Sequence, residues 1–260
     1  MKILLIVPDG VALRNYIYSS FVGELQKNDV EVMIYHQTSR SALKQIESLH
    51  TGISIIKEIP VYSESMFANL LRESLAYARL LRNSQILQND TILAFWNKNQ
   101  KTIKRKILYR FAEFLGTLFS KSHAVILKGD AVYSKITGQN PIINTIDNDL
   151  KLFNPDLILN LHPRAVVSEP IAFVAKKNNI KSTTVIFSWD NVPKARLISR
   201  YENYLVWSDL MKKELCLLYK EIKEDQVKVV GTPQFDFYFQ EELYESKNDF
   251  FGKNQFFPDY

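Results

Sequence analysis

Residues 187–191 read Phe-Ser-Trp-Asp-Asn and follow directly on an apolar run. Ser188, Asp190 and Asn191 can hydrogen-bond a polyhydroxylated ligand, and the flat face of Trp189 can stack on a sugar ring. Asp190 is a candidate catalytic base, with capping of the turn as the structural alternative. Loop packing is the corresponding alternative for Trp189. The segment therefore predicts a binding turn.

A second candidate base is His162, which lies in the Leu-His-Pro-Arg segment at 161–164 after another apolar run. An imidazole can exchange protons near neutral pH. Arg164 stands two residues further on and suits an anionic ligand. The structural alternative for His162 is a hydrogen bond to a loop carbonyl, without any catalytic role.

Arg14 and Asn15 lie in the loop that follows the first apolar run, Ile3–Val7. A loop between a strand and a helix offers backbone N–H groups and a helix dipole to a negative ligand. We expect Arg14 and Asn15 to contact substrate there, with a solvated Arg14 as the alternative. The loop lacks both a G-x-G-x-x-G pattern and the lysine of a P-loop, which argues against a dinucleotide or nucleoside triphosphate site.

The content of histidine and cysteine predicts no metal site. The four histidines and the single cysteine, Cys216, show no ligand spacing. A lone cysteine also excludes an intrachain disulfide and fits a reducing cytosol. No bound cofactor is expected. Nor is a nucleic-acid partner, because no RRM, KH, helix-turn-helix or zinc-finger pattern is present.

The elements that position these residues follow from the spacing of apolar side chains. Short apolar runs predict strands at 3–7, 30–35, 53–59, 156–161, 183–187, 204–207 and 227–230. Segments of helical periodicity separate most of them. This alternation predicts an α/β fold with a Rossmann-like, doubly wound, mainly parallel sheet. The polar segments would then meet at the carboxyl edge of the sheet, where such folds bind ligands.

Residues 63–121 depart from the alternation and predict an inserted helical pair. The chain carries a net charge of +5, and part of that charge lies on the second of these helices, at Lys104, Arg105 and Lys106. Basic residues interleaved with apolar ones are typical of helices that lie on anionic membranes. The alternative is an amphipathic helix that packs on its own domain with its charges solvated.

Several segments, taken in order, resemble the N-terminal half of GT-B-fold glycosyltransferases of bacterial surface-polysaccharide synthesis, related to CDP-glycerol glycerophosphotransferases. They are Leu-Arg-Asn-Tyr at 13–16, Pro-Asp-Leu-Ile at 155–158, Ser-Trp-Asp-Asn at 188–191 and Gly-Thr-Pro-Gln-Phe-Asp at 231–236. The resemblance covers roughly residues 1–240 and is strongest from residue 155 onward.

The resemblance implies an acceptor-side Rossmann-like domain at 1–230, then a hinge and the start of a missing C-terminal donor domain at 231–260. Gly231, Pro233 and Asp236 would form the hinge. The donor would be a nucleotide-activated sugar or glycerol, and the acceptor a glycan or a lipid-linked molecule. We expect the chain, as a fragment or a natural truncation, to be inactive alone.

The leading hypothesis is therefore a glycosyltransferase-like protein that transfers a glycosyl or glycerophosphate group to a surface-polysaccharide or lipid-linked acceptor. His162 or Asp190 would be the base, and Arg14 and Arg164 the anion contacts. One alternative is a sugar-nucleotide 2-epimerase-like enzyme, which uses carboxylates in a similar cleft. Another is a non-catalytic membrane-peripheral binding protein of polysaccharide assembly. The expected location is the cytoplasm or the inner face of the membrane.

Overall fold

A seven-stranded parallel sheet forms the centre of the molecule in a computed structural model that describes residues 1–96, 100–241 and 244–254. The strands are β1 (Lys2–Val7), β2 (Glu31–His36), β3 (Ile55–Glu58), β4 (Leu157–Asn160), β5 (Lys181–Val185), β6 (Asn203–Val206) and β7 (Val227–Val229). Their order across the sheet is β3-β2-β1-β4-β5-β6-β7, and every pairing is parallel. The predicted doubly wound α/β fold is confirmed.

Strand β1 is apolar throughout because helices cover both faces of the sheet. Successive side chains of a strand point to opposite faces. Leu5 therefore packs with Ile17 on one face, while Leu4 and Ile6 pack with Ile146 on the other. All of them are fully buried.

Helices connect the strands along the chain, and two more helical segments lie outside the alternation, before β4 and after β7. The helices are α1 (Gly10–Ala12), α2 (Phe21–Lys27), α3 (Arg40–Leu49), α4 (Met66–Leu87), α5 (Ile103–Phe119), α6 (His123–Thr137), α7 (Ile142–Phe153), α8 (Ser168–Lys177), α9 (Asp209–Leu218) and α10 (Lys247–Asn254). Short polar residues fix several starts: the side chains of Ser65, Thr102 and Ser208 accept backbone N–H groups as N-caps. Among the described residues, no helix is long and apolar enough to cross a membrane.

The helical segment between β3 and β4 is larger than the expected pair. Helices α4 and α5 occupy the predicted stretch, but α6 and α7 follow them before β4 begins. Helix α7 packs on the sheet as one of its covering helices, through residues such as Leu150. Its buried Asp149 obscures the apolar pattern in the sequence. This carboxylate is paired, because it accepts a hydrogen bond from the Tyr35 hydroxyl at 2.6 Å and contacts Lys57 at 2.5 Å.

Candidate functional site

The candidate site lies at the carboxyl edge of the sheet, between β1 and β4. The chain runs outward from β1 to β2 and β3 and returns to β4 on the other side of β1. Loops that leave the two central strands diverge at such a reversal and open a crevice. The loops after β1, β4 and β5 carry nearly all of the residues that the sequence singles out.

Asp9, directly after β1, links the first two of these loops. Its Oδ1 accepts the backbone N–H groups of Val11 at 3.0 Å and Ala12 at 3.2 Å, which caps α1. Its Oδ2 pairs with Nδ1 of His162. Partial burial acts to raise the pKa of Asp9, but the hydrogen bond and charge of His162 and the two N–H groups together lower it. The carboxylate is thus held ionised against the imidazole.

His162 is buried and held on several sides. Its backbone N–H donates to Oδ1 of Asn160 at 2.9 Å, and its carbonyl accepts the Ser168 hydroxyl at 3.1 Å. Because Nδ1 faces Asp9, Nε2 is the ring nitrogen left for a ligand. Nε2 has no hydrogen-bond partner among residues 1–96, 100–241 and 244–254. A carboxylate that orients an imidazole in this way prepares its other nitrogen to accept a proton.

Phe187 contacts the side chains of both His162 and Arg164 in the β4 loop. The ring of His162 meets it edge to face at 4.7 Å between centroids. The guanidinium of Arg164 lies over the same ring at 5.3 Å. Burial lowers the pKa of Arg164, an effect opposed by the carboxylates of Asp190 and Asp9. A half-buried guanidinium in this position can bind an anionic ligand bidentately.

The carboxylate of Asp190 is bound by two residues of its own loop. Its Oδ1 accepts the Ser188 hydroxyl at 2.7 Å, and its Oδ2 pairs with Lys194. Partial burial acts to raise the pKa of Asp190, but Lys194 and Ser188 lower it. A carboxylate that is stabilised as an anion by a lysine is a weak base. The geometry therefore favours His162 over Asp190 as the proton acceptor.

Trp189 and Asn191 occupy opposite environments within one turn of 3₁₀-helix. The indole of Trp189 is 66% exposed and free to stack on a ligand. Asn191 is fully buried, and neither atom of its amide has a hydrogen-bond partner in the described part of the chain.

Arg14 and Asn15 lie on a turn of π-helix, Leu13–Ile17, that continues α1. Such turns often occur at functional sites. Arg14 is exposed, and its Nε donates to Oδ1 of the buried Asn15 at 3.1 Å. The amide nitrogen of Asn15 is buried without a partner among the described residues.

The site thus carries several buried donor atoms that the described residues leave unpaired. They are Nε of Arg164, Nδ2 of Asn15 and Nδ2 of Asn191. Buried polar atoms are normally satisfied by protein, water or ligand. This set of donors suits a ligand rich in oxygen atoms and negative charge.

The predicted hinge residues lie together after β7. Gly231 has φ +73°, a left-handed conformation that favours glycine, and Pro233 opens the 3₁₀-helix Pro233–Phe239. Asp236 accepts the hydroxyl of Ser20 at 2.9 Å, which ties this segment to the start of α2. A pocket of about 460 Å³ lies beneath it, with Trp207 in its wall. Residues 242–243 and 255–260 of the predicted hinge and second domain lie outside the described residues.

Asp9, Phe187 and Lys194 are the site residues that sequence reasoning did not assign. Asp9 could have been found, because it follows β1 as His162 follows β4. No sequence pattern points to Lys194, because it reaches Asp190 only through the conformation of the turn between them. Across the described ranges, no three His, Cys, Asp or Glu side chains come together as metal ligands.

The basic residues Lys104, Arg105 and Lys106 are exposed at the start of α5, in the helical segment between β3 and β4.

Comparison with known proteins reveals similarity of fold. No known protein family and no curated protein matches the sequence. Solved structures do match. The UDP-GlcNAc 2-epimerase of Neisseria meningitidis bound to UDP-GlcNAc is 15% identical with a TM-score of 0.51, covering 100% of this chain and 54% of that one.

Two further structures give similar values. The UDP-GlcNAc 2-epimerase of Methanocaldococcus jannaschii is 15% identical with a TM-score of 0.50, covering 97% of this chain and 53% of that one. A putative 2-epimerase of Listeria monocytogenes is 12% identical with a TM-score of 0.51, covering 96% and 51%. This chain spans about half the length of the structures it matches.

These matches correct the functional prediction made from the sequence. The fold is the Rossmann-like α/β fold of GT-B-type proteins, as expected. The neighbours named above, however, are UDP-GlcNAc 2-epimerases rather than glycosyltransferases, so the leading transferase hypothesis is wrong. The resemblance to CDP-glycerol glycerophosphotransferases finds no support. It rested on short loop segments that any fold of this type places at the carboxyl edge of its sheet.

Proposed function

We propose that this chain is the part of a sugar-nucleotide 2-epimerase-like enzyme that holds the substrate at the carboxyl edge of its sheet. The observation that carries the proposal is the constellation of Asp9, His162 and Arg164 at the reversal of strand order. The fold supports it, because the matching solved structures include an epimerase with UDP-GlcNAc bound. The substrate class is a nucleotide-activated sugar, and we propose no further cofactor.

The residues divide the work by their chemistry. In the proposed inversion at C2, the C2–H bond breaks toward a base, its electron pair forms a C1–C2 double bond, and the C1–O bond to the diphosphate breaks. Return of the diphosphate to C1, with a proton delivered to the other face of C2, reverses these changes. His162 is held by Asp9 through Nδ1, and its unpaired Nε2 would accept or deliver one of these protons. Arg164 would bind the diphosphate, and Trp189 would stack on a ring of the substrate. Asp190 would be the nearest second acid–base group.

The segment from Gly231 to Asp236 would serve as the hinge toward a second domain. Gly231 adopts a positive φ that glycine tolerates, and two residues later the ring of Pro233 restricts φ, so the chain changes direction after β7 at this turn. The contact between Ser20 and Asp236 would fix that direction relative to the crevice.

Binding of UDP-GlcNAc to the chain, measured by saturation-transfer NMR and calorimetry, tests the proposal. We expect binding by the wild type and a loss of about tenfold or more in Arg164→Gln, because a charged hydrogen-bond partner of the diphosphate is removed. Arg40→Gln, at an exposed position at the start of α3, is the matched control and should bind normally.

A second readout distinguishes epimerisation from mere binding. Proton removal at C2 in D₂O replaces hydrogen by deuterium in recovered UDP-GlcNAc. We expect this exchange to require His162, so that His162→Gln abolishes it while UDP-GlcNAc still binds. A chain with no affinity for any nucleotide sugar, or equal binding by wild type and Arg164→Gln, would contradict the proposal.

A further inference from the structure

Helix α5 presents a continuous apolar stripe to the outside of the molecule. The exposed fraction is 76% for Ile103, 53% for Ile107, 58% for Phe111, 63% for Phe114 and 45% for Leu118. Their spacing of three or four residues places all five on one face of the helix. The opposite face is the packed one, where Ala112 and Gly116 are buried against the protein. A stripe of large apolar side chains in this arrangement is unusual for a surface that faces only water.

Cationic side chains border the stripe. At about 3.6 residues per turn, Lys104 and Arg110 lie about 60° to either side of its centre. Lys106 and Arg110, together with Lys101, line a groove of about 770 Å³ beside the helix. Glu113, the acidic residue in that groove, accepts the indole N–H of Trp96 on Oε1 at 2.9 Å, and its Oε2 lies 3.7 Å from the guanidinium of Arg110.

We propose that α5 lies flat on an anionic membrane surface, with its apolar stripe in the acyl boundary and its basic border at the phosphate groups. A helix that lies in a membrane interface needs a row of large apolar side chains with cations on either side of it. The helix is about 25 Å long, so it provides about four to five turns of contact parallel to the bilayer.

Charge complementarity favours lipid over a second copy of the chain. Helix α5 carries four cations and one carboxylate between Ile103 and Phe119, and the carboxylate is already hydrogen-bonded. A symmetric contact between two such stripes would bring like charges together. An anionic bilayer instead offers negative charge on both sides of the stripe at once.

The helix geometry also changes which cations are expected to interact with the membrane surface. Arg105 points about 160° away from the centre of the stripe, whereas Lys104 and Arg110 flank it. Because the field of a membrane surface decays within a Debye length of about 8–10 Å, a charge on the far side of the helix contributes little. Arg105 is therefore a control for Arg110, with the same side chain on the same helix.

Co-sedimentation of the 260-residue chain with vesicles tests the proposal. The vesicles contain phosphatidylcholine alone or phosphatidylcholine with 30% phosphatidylglycerol, at about 50 and 500 mM NaCl. We expect binding to the anionic vesicles, weakened at high salt. Arg110→Gln should bind about fivefold more weakly, as one charge near the surface contributes about that factor. Arg105→Gln should change binding less than twofold.

The apolar contribution is tested with the pair Phe111→Ser and Phe114→Ser. Together they should weaken vesicle binding by at least about tenfold. Leu210→Ser, at a residue 77% exposed on α9, is the control and should bind as the wild type. Circular dichroism checks that each variant is folded.

Three results would overturn the proposal. One is equal binding of the wild type to neutral and anionic vesicles, and another is equal loss in Arg105→Gln and Arg110→Gln. The third is a wild-type dimer, seen by light scattering, that the double Phe variant dissociates without any vesicle binding. That last result would assign the stripe to self-association.

Discussion

Asp9 divides its two carboxylate oxygens between the backbone of α1 and the imidazole of His162. The sequence predicted His162 because a histidine after a buried strand must face the carboxyl edge. It did not predict which group would orient the ring, since residues 9 and 162 are brought together only by the pairing of β1 with β4. The position of Asp9 at the same edge of the sheet can be predicted from the sequence, whereas its pairing with the ring of His162 is decided by the fold.

Replacement of Asp9 by asparagine should destabilise the protein at pH 6 by about 0.5–1 kcal/mol. Asparagine caps a helix as well as aspartate does, so the loss reflects the charge that faces His162, reduced by solvent screening. Because the pKa of Asp9 is lowered on folding, its contribution is present above the unfolded pKa and is lost as the pH falls through the folded pKa. Urea unfolding at pH 6 and pH 2.5 checks this: the difference between variant and wild type should be smaller at the lower pH. A difference that stays constant would show that the charge is irrelevant.

At the scale of elements, glycine positions show how closely helices approach each other. A Cβ on Gly116 of α5 would stand 2.7 Å from the backbone oxygen of Ser74 on α4. Gly23 of α2 has open space around it. Periodicity alone treats the two glycines alike, because it contains no information about the neighbouring helix.

Alanine at these two glycines should have opposite effects on stability. Gly23→Ala should raise the free energy of unfolding by about 1 kcal/mol, since alanine is the better helix former. Gly116→Ala should lower it by about 1–2 kcal/mol, as the cost of overpacking against a backbone atom exceeds the same helical gain. Thermal or urea unfolding of both variants measures this. Stabilisation by both would show that α4 and α5 separate easily.

A buried ionic cluster ties the helical segment to the rest of the chain. Arg79 on α4 contacts both Asp130 on α6 and Glu221 after α9, the latter at 3.0 Å. Arg200 contacts the same two carboxylates at 2.9 and 2.8 Å. Burial acts to raise the pKa of Glu221, but the two arginines lower it. The cluster fixes the position of α4 and α6 relative to the segments that flank β6 and α9.

Arg79→Met should destabilise the protein by about 3 kcal/mol, because it leaves two carboxylates with one arginine in a site where Arg79 is 4% exposed. Arg40→Met, at an exposed position, should change stability by less than about 0.5 kcal/mol. The midpoints of urea unfolding compare the two variants. Similar small losses in both would mean that water replaces the arginine without cost.

For the molecule as a whole, ligand binding and stability are linked. If UDP-GlcNAc binds the crevice, a concentration of one hundred times its dissociation constant should stabilise the fold by about 2.7 kcal/mol. For a chain of this size that corresponds to a rise in melting temperature of about 5–10 °C. Differential scanning fluorimetry measures it. At the same concentration, Arg164→Gln with its tenfold or greater loss of affinity should gain at most about 1.4 kcal/mol and about half of that rise in melting temperature. A rise equal to that of the wild type would place the ligand elsewhere.

The sequence by itself determined the architecture. Apolar runs in alternation with amphipathic segments can bury both faces of a sheet only as a parallel, doubly wound fold, and polar residues at the ends of those runs must then share one edge. For the same reason Arg164, Ser188 and Trp189 were expected at the same edge of the sheet as His162. The segment between β3 and β4 was harder to predict. Asp149 interrupts the apolar pattern of α7, yet it is buried there because Tyr35 and Lys57 pair with it.

Only the tertiary structure decided how those residues act together. It pairs Asp9 with His162, engages Asp190 with Lys194, places Asn191 in the interior and turns the apolar face of α5 outward. These outcomes depend on distances between residues far apart in the chain, or on which face of a helix finds a partner. Local patterns of hydrophobicity fix the elements and their order, whereas ion pairs and exposed faces are set by how the elements pack.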